Sequence, residues 1–210
     1  MLTRPNPAST TLYSATQELE SHAVRFIMAH KSIECDVIEL EFDDMPEEVL
    51  ELNPCQTMPT LFDRGMVLYD LSVIMEYLDE RFPFPPLLPI DPIEKAEKRL
   101  LIYRFTRAEG CWYELVGTIL NGDKKAADAA RKTLNGNLIE LIPLFAYQPY
   151  FKSDTMTLVD VCLAPVLWRL GILGIKLGDK AKPILSYAAR LFDKEGFQEG
   201  LTFCEKDFNQ

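Results

Sequence analysis

The segment Arg81-Phe82-Pro83-Phe84-Pro85-Pro86-Leu87-Leu88-Pro89 divides the chain in two. Each proline lacks a backbone N–H and pushes the residue before it out of the helical region, so no helix can run through this stretch. It reads as a stiff, extended connector, and the residue pattern changes across it.

Ahead of the connector, strands and helices alternate. Leu12 and Tyr13 open a short apolar run, and Val24, Phe26, Ile27, Met28 and His30 carry the spacing of a helix ending near Lys31. Cys35, Val37 and Leu40 alternate with polar neighbours as a half-buried strand does, and 45–52 predicts a short acidic helix closed by Asn53 and Pro54. Residues 57–62 form an apolar strand with Pro59 at its entrance. There its missing N–H would forfeit a ladder bond, which a bent, cis Met58-Pro59 bond resolves. Arg64 and Gly65 turn the chain into a returning strand over 66–69, completing a hairpin. Asp70 then N-caps a helix reaching Arg81, with Ile74, Tyr77 and Leu78 on one face. The predicted order is β-α-β-α-β-β-α.

Beyond Pro92 every pattern is helical: 93–119, 123–145, 158–170 and 182–192. Thr157 and Asp160 spell a capping box flanked by Met156 and Val161, which read as its hydrophobic staple; its plain task is to nucleate a buried helix. The expectation is therefore a small α/β domain over 10–88 and an all-helical domain over 92–205.

Charge and cysteine usage exclude several functions. The net charge of −10, from 32 acidic against 22 basic residues, repels phosphate backbones and anionic lipid, so neither direct nucleic-acid binding nor membrane association is expected. Lys124, Lys125, Arg131 and Lys132 cluster, but on a helix such a run reads as a solvated face. Residues 1–11 lack the apolar core of a secretory signal, and no run approaches the ~18 apolar residues of a membrane span. Cys35, Cys55, Cys111, Cys162 and Cys204 contain no C-x-x-C pair. They fit reduced thiols in a cytoplasmic protein, most of them as small core residues. His22 and His30 have no ligand pattern beside them, and no metal is expected.

Tyr13 with Ser14, Val24 with Arg25, Met58 with Pro59, the Asp70 helix and the Thr157 to Asp160 box together resemble the glutathione transferase fold. That resemblance implies a thioredoxin-like N-terminal domain with a cis-proline, a helical C-terminal domain and a two-fold dimer. Three further stretches are similar to the stringent starvation protein A family. They are Glu76-Tyr77-Leu78-Asp79-Glu80-Arg81-Phe82-Pro83 with Pro85, Pro86 and Leu87; Asn121-Gly122 with Ala126 and 128–132; and Leu163-Ala164-Pro165 with 167–170. The family resemblance implies a transcription regulator associated with RNA polymerase holoenzyme or its σ factor, active as a homodimer or paired with a paralogue. Its recognised surface is a Pro-His-Pro turn after the third helix, matched here by Pro83, Phe84 and Pro85, with Pro86 following. Phe84 stands where that family has His, exchanging a polar contact for an aromatic one that is either lifted by stiff neighbours or folded back onto the domain interface.

The resemblance also raises an enzyme reading. A transferase of this fold activates the glutathione thiol near the start of the first helix, where 14–20 holds Ser14 and Thr16 but no Cys, and where Glu18 and Glu20 disfavour a thiolate. It holds the γ-glutamyl carboxylate with an acidic residue followed by Ser, and here the pair is Asp70 and Leu71. Binding is thus expected rather than catalysis, without a catalytic residue and without glutathione; the alternative is a transferase of atypical site using Ser14. In the dimer, Tyr103, Arg104, Arg107 and Glu109 would line a cleft along the axis, where the arginines either receive a small anionic effector or pair with surplus carboxylates.

Overall fold

The computed structural model describes residues 9–41 and 45–209, which fall into two compact units. The first holds residues through Pro85 together with Glu195–Lys206; the second holds Pro86–Lys194 and the residues from Asp207. Residues 1–8, where the lack of a signal sequence was read, lie outside the described residues.

In the first unit the strands β1 (Thr11–Ala15), β2 (Asp36–Leu40), β3 (Thr60–Asp63) and β4 (Met66–Leu68) form one sheet in the order β2-β1-β3-β4. β1 is central and buried at every position, pairing in parallel with β2 and antiparallel with β3. The parallel pair requires a crossover, supplied by α1 (Leu19–His30). The short helix α2 (Glu47–Leu52) precedes β3, and its Val49 packs with Tyr13, Ala15 and Met58. The Met58-Pro59 bond is cis, as the strand entrance required. Asp70 caps α3 (Leu71–Arg81), its Oδ1 accepting from the amides of Ser72 at 2.9 Å and Val73 at 3.1 Å.

The first unit is completed by α10 (Glu195–Glu199) and α11 (Phe203–Lys206), so the all-helical domain expected over 92–205 gives up its last stretch. The reason lies in close packing of α10 on α1. A Cβ on Gly196 would stand 2.5 Å from the His30 backbone, and one on Gly200 3.0 Å from the Phe26 amide. Only glycine admits that approach, and Phe197 fills the space beside it against His22 and Phe26.

The second unit surrounds α8 (Leu158–Trp168), every residue of which is buried. Against it pack α4 (Pro92–Thr106), α5 (Trp112–Asn121) and α9 (Lys182–Phe192), with α6 (Lys124–Glu140) on α5 and α7 (Ile142–Tyr147) on α9. The single helices predicted over 93–119 and 123–145 are each two. The first stops at Thr106 and restarts at Trp112 after a turn through Gly110, at φ +68°, and Leu141 with Pro143 breaks the second. The apolar pattern continues through both breaks because the pieces face the same core, where Phe105, Trp112, Phe145 and Phe151 stack. Among the cysteines, Cys111 and Cys162 are core residues as expected, but Cys35 and Cys204 are half-buried and Cys55 is exposed, so most are not. Cys35 and Cys55 sit in connections rather than in a core-facing strand or helix. Lys124, Lys125 and Lys132 are exposed on α6, while Arg131 donates to the Leu173 carbonyl at 2.7 Å and pairs with Asp128. No helix among the described residues is long and apolar enough to cross a membrane, and no group of three or more His, Cys, Asp or Glu among them could hold a metal ion.

Candidate functional site

The connector turns outward directly after α3. Phe82 closes that helix by donating to the Leu78 carbonyl at 3.0 Å. Pro83, Phe84, Pro85 and Pro86 then follow, all exposed, with Phe84 82% open to solvent and the Phe84-Pro85 bond cis. Prolines offer no backbone donors, so the carbonyls on the inner side of this turn need a donor from elsewhere. Lys31, the residue that closes α1, supplies it. Its Nζ donates to the Phe82 and Pro85 carbonyls, each at 2.7 Å, and pairs with Asp79 at 2.7 Å, with the lysine side chain fully buried. Beside it Arg81 pairs with Asp63, bonds to the Tyr77 hydroxyl at 3.2 Å and lies 5.0 Å from the Phe82 ring centre. Tyr77 also donates to Asp63, which accepts from Thr10 at 2.9 Å.

In the second unit, Pro86 opens one wall of a pocket of about 480 Å³, with Leu88, Pro89, Glu94, Lys98 and Lys152 among its lining. Lys98 reaches under it to donate to the Lys152 carbonyl at 2.7 Å. Burial lowers its pKa, and the nearby Asp160 charge works against that.

At the start of α1, Ser14 and the loop after it are tied to the last stretch of the first unit. Ser14 is fully buried, and its oxygen accepts from the Arg25 guanidinium. Arg25 also donates to Ala15 O at 2.9 Å and Gly200 O at 2.8 Å, and pairs with Glu205 at 2.7 Å. Thr202 ties the same terminal stretch to the loop by donating to the Thr16 carbonyl at 2.8 Å, while the Thr16 hydroxyl is spent on Glu41. Glu18, half-buried at the α1 start, has its pKa pushed up to about 7 by burial first and the Glu20 charge second. At α3, Leu71 is buried and Asp70 already holds the Ser72 and Val73 amides.

Other sequence candidates belong to the second unit. Thr157 and Asp160 form the capping box, with the Thr157 amide donating to Asp160 at 2.7 Å. Asp160 goes further than capping, accepting also from the Phe151 amide at 2.8 Å and the Tyr187 hydroxyl at 2.6 Å. Its burial raises its pKa against the pull of those bonds. Tyr103, Arg104, Arg107 and Glu109 are exposed at and beyond the end of α4. Lys31, Asp79, Arg25 and Glu205 were not singled out from the sequence as site residues, because nothing local distinguishes a lysine or arginine that will bond to carbonyls far along the chain.

Comparison with known proteins places this arrangement. Residues 21–81 match the glutathione S-transferase N-terminal domain family and residues 90–195 the C-terminal domain family. A stringent starvation protein A homolog of Coxiella burnetii is 41% identical, covering 95% of each chain. One from Haemophilus influenzae is 38% identical over 91% of this chain and 89% of its own. Among solved structures, glutathione transferase Omega 3C from Trametes versicolor superposes with a TM-score of 0.80 at 21% identity, over 94% of this chain and 90% of that one. A Rhodospirillum rubrum glutathione S-transferase reaches 0.81 at 21% identity, over 96% and 100%. The chain therefore belongs to the stringent starvation protein A family, built on the glutathione transferase fold.

Proposed function

We propose that this protein is a starvation-response transcription regulator of the cytoplasm that docks RNA polymerase holoenzyme or its σ factor through Pro83, Phe84, Pro85 and Pro86, and that it does so without transferase catalysis. The observation that carries the reading is Phe84, an aromatic side chain 82% exposed on a turn that is fixed from below. A large apolar ring presented with little ordering entropy left to lose is what a binding hot spot requires. The names of the relatives, stringent starvation protein A homologs, support the regulatory assignment. The burial of Ser14 beneath Arg25 and the Leu71 side chain at the α3 start favour a protein that does not use glutathione. A dimer is supported by α4, which leaves Ile93, Leu100 and Tyr103 exposed at spacings that share one face.

The test is co-purification of the tagged protein with RNA polymerase from its own cytosol, beside a Pro83→Ala, Phe84→Ala, Pro85→Ala variant shown to be folded. Retention by the parent and loss by the variant is the expected result. Absence of polymerase from both would end this reading and return Ser14 to a substrate screen.

A further inference from the structure

Residues 82–86 contain three prolines, leaving Phe82 and Phe84 as the backbone donors of the turn. A loop so poor in donors cannot fold on its own carbonyls. Its two inward carbonyls, at Phe82 and Pro85, bracket Phe84 and converge on one nitrogen, Nζ of Lys31. Two carbonyls drawn to the same buried point force the residues between them to bulge the other way. The third donor of the ammonium goes to Asp79 in the last turns of α3, so every N–H of a fully buried lysine meets an oxygen. A charge placed there is tolerated only with that full set of partners.

We propose that Lys31 is the positioning residue of this surface: its ammonium, held in register by Asp79, sets where Phe84 stands and keeps it outward. The prolines limit the shapes open to the turn, and Lys31 selects one of them. The proposal deepens the docking reading above and rests on it only for the identity of the partner.

The test is read without polymerase. A full-length Phe84→Trp protein grown on 5-fluorotryptophan gives ¹⁹F resonances for Trp112, Trp168 and the new position. Lys31→Met, which keeps the apolar stem and removes the donors, is expected to move the position-84 resonance toward its unfolded-chain value while the other two stay in place. Lys31→Gln, which restores an amide donor, brings it part of the way back. An unmoved resonance in folded Lys31→Met overturns the proposal, and so does loss of fold in both variants, which would make Lys31 a general stability residue. Polymerase retention is then measured on the same proteins and is expected to fall roughly ten-fold in Lys31→Met. If the resonance moves and retention does not, the positioning role stands and the docking reading falls.

Discussion

Arg25 and Lys31 are both buried cations of the same helix and its cap, and they are put to opposite uses. Arg25 collects Ser14, Ala15, Gly200 and Glu205 and ties the late stretch of the chain to the end of β1. Lys31 collects Phe82, Pro85 and Asp79 and holds a ring out into water. Each is a cation satisfied by two carbonyls and one carboxylate, with a hydroxyl added at Arg25. The difference lies in what the carbonyls belong to: the end of β1 and the late segment packed on α1 in one case, a proline turn at the surface in the other. The same device thus anchors a buried segment in one place and an exposed turn in the other.

The strongest way to break the comparison is to remove Glu205. Glu205→Ala leaves Arg25 buried without its carboxylate and should cost about 3–5 kcal/mol, read from urea unfolding of the parent and variant. A loss below about 1 kcal/mol would mean that the terminal segment is not held by this pair.

Next in size is a control in the second unit. Asp160→Asn keeps the shape of the carboxylate but weakens bonds to Thr157, Phe151 and Tyr187, and should cost about 2–3 kcal/mol in the same measurement. Because the bonds of Asp160 lie within the second unit, the ¹⁹F signal at position 84 should not change. A change there would blur the separation between structural and presenting networks.

Glu18 sharpens the Arg25 side. Its pKa of about 7 in the folded protein lies above the ordinary 4.5, so the folded state holds a proton that the unfolded chain releases between those values. Its contribution to stability therefore falls as pH rises through that window. Glu18→Gln should be more stable than the parent at about pH 8 by about 1 kcal/mol, allowing for its partial exposure, and the gain should vanish near pH 4.5. A pH-independent difference would remove Glu18 as the source. The smallest expected stability effect is at Phe84, where Phe84→Ala should change unfolding by no more than about 0.5 kcal/mol while abolishing polymerase retention. Calorimetric titration with glutathione should show no binding in the micromolar range, and micromolar affinity would overturn the proposal that glutathione is not used.

The sequence made the local features legible. The cis bond at Pro59, the Asp70 cap and the Thr157 to Asp160 box each depend on residues a few positions apart, and the helix and strand periods came through wherever one face is buried. Features made by distant partners did not show. Arg25 meets Glu205 across 180 positions, and Lys31 meets the turn across 51 and 54. The two missed helix breaks have a different cause, since an apolar pattern records which face is buried and not whether the chain pauses at Gly110 or Leu141. A usable signal was present in Gly196 and Gly200, four residues apart in a helical stretch, a spacing that lets one backbone approach another closely.

Placing Glu205 inside the first unit also sets the order in which the protein can mature. During synthesis an N-terminal domain ordinarily folds as its own residues emerge. Here the sheet and α1 are complete by residue 85, yet Arg25 has no carboxylate until residue 205 has been made and released. A nascent chain arrested earlier therefore lacks both the carboxylate that Arg25 pairs with and the segment that covers it, so the first unit stays incomplete until the end of the chain has been made.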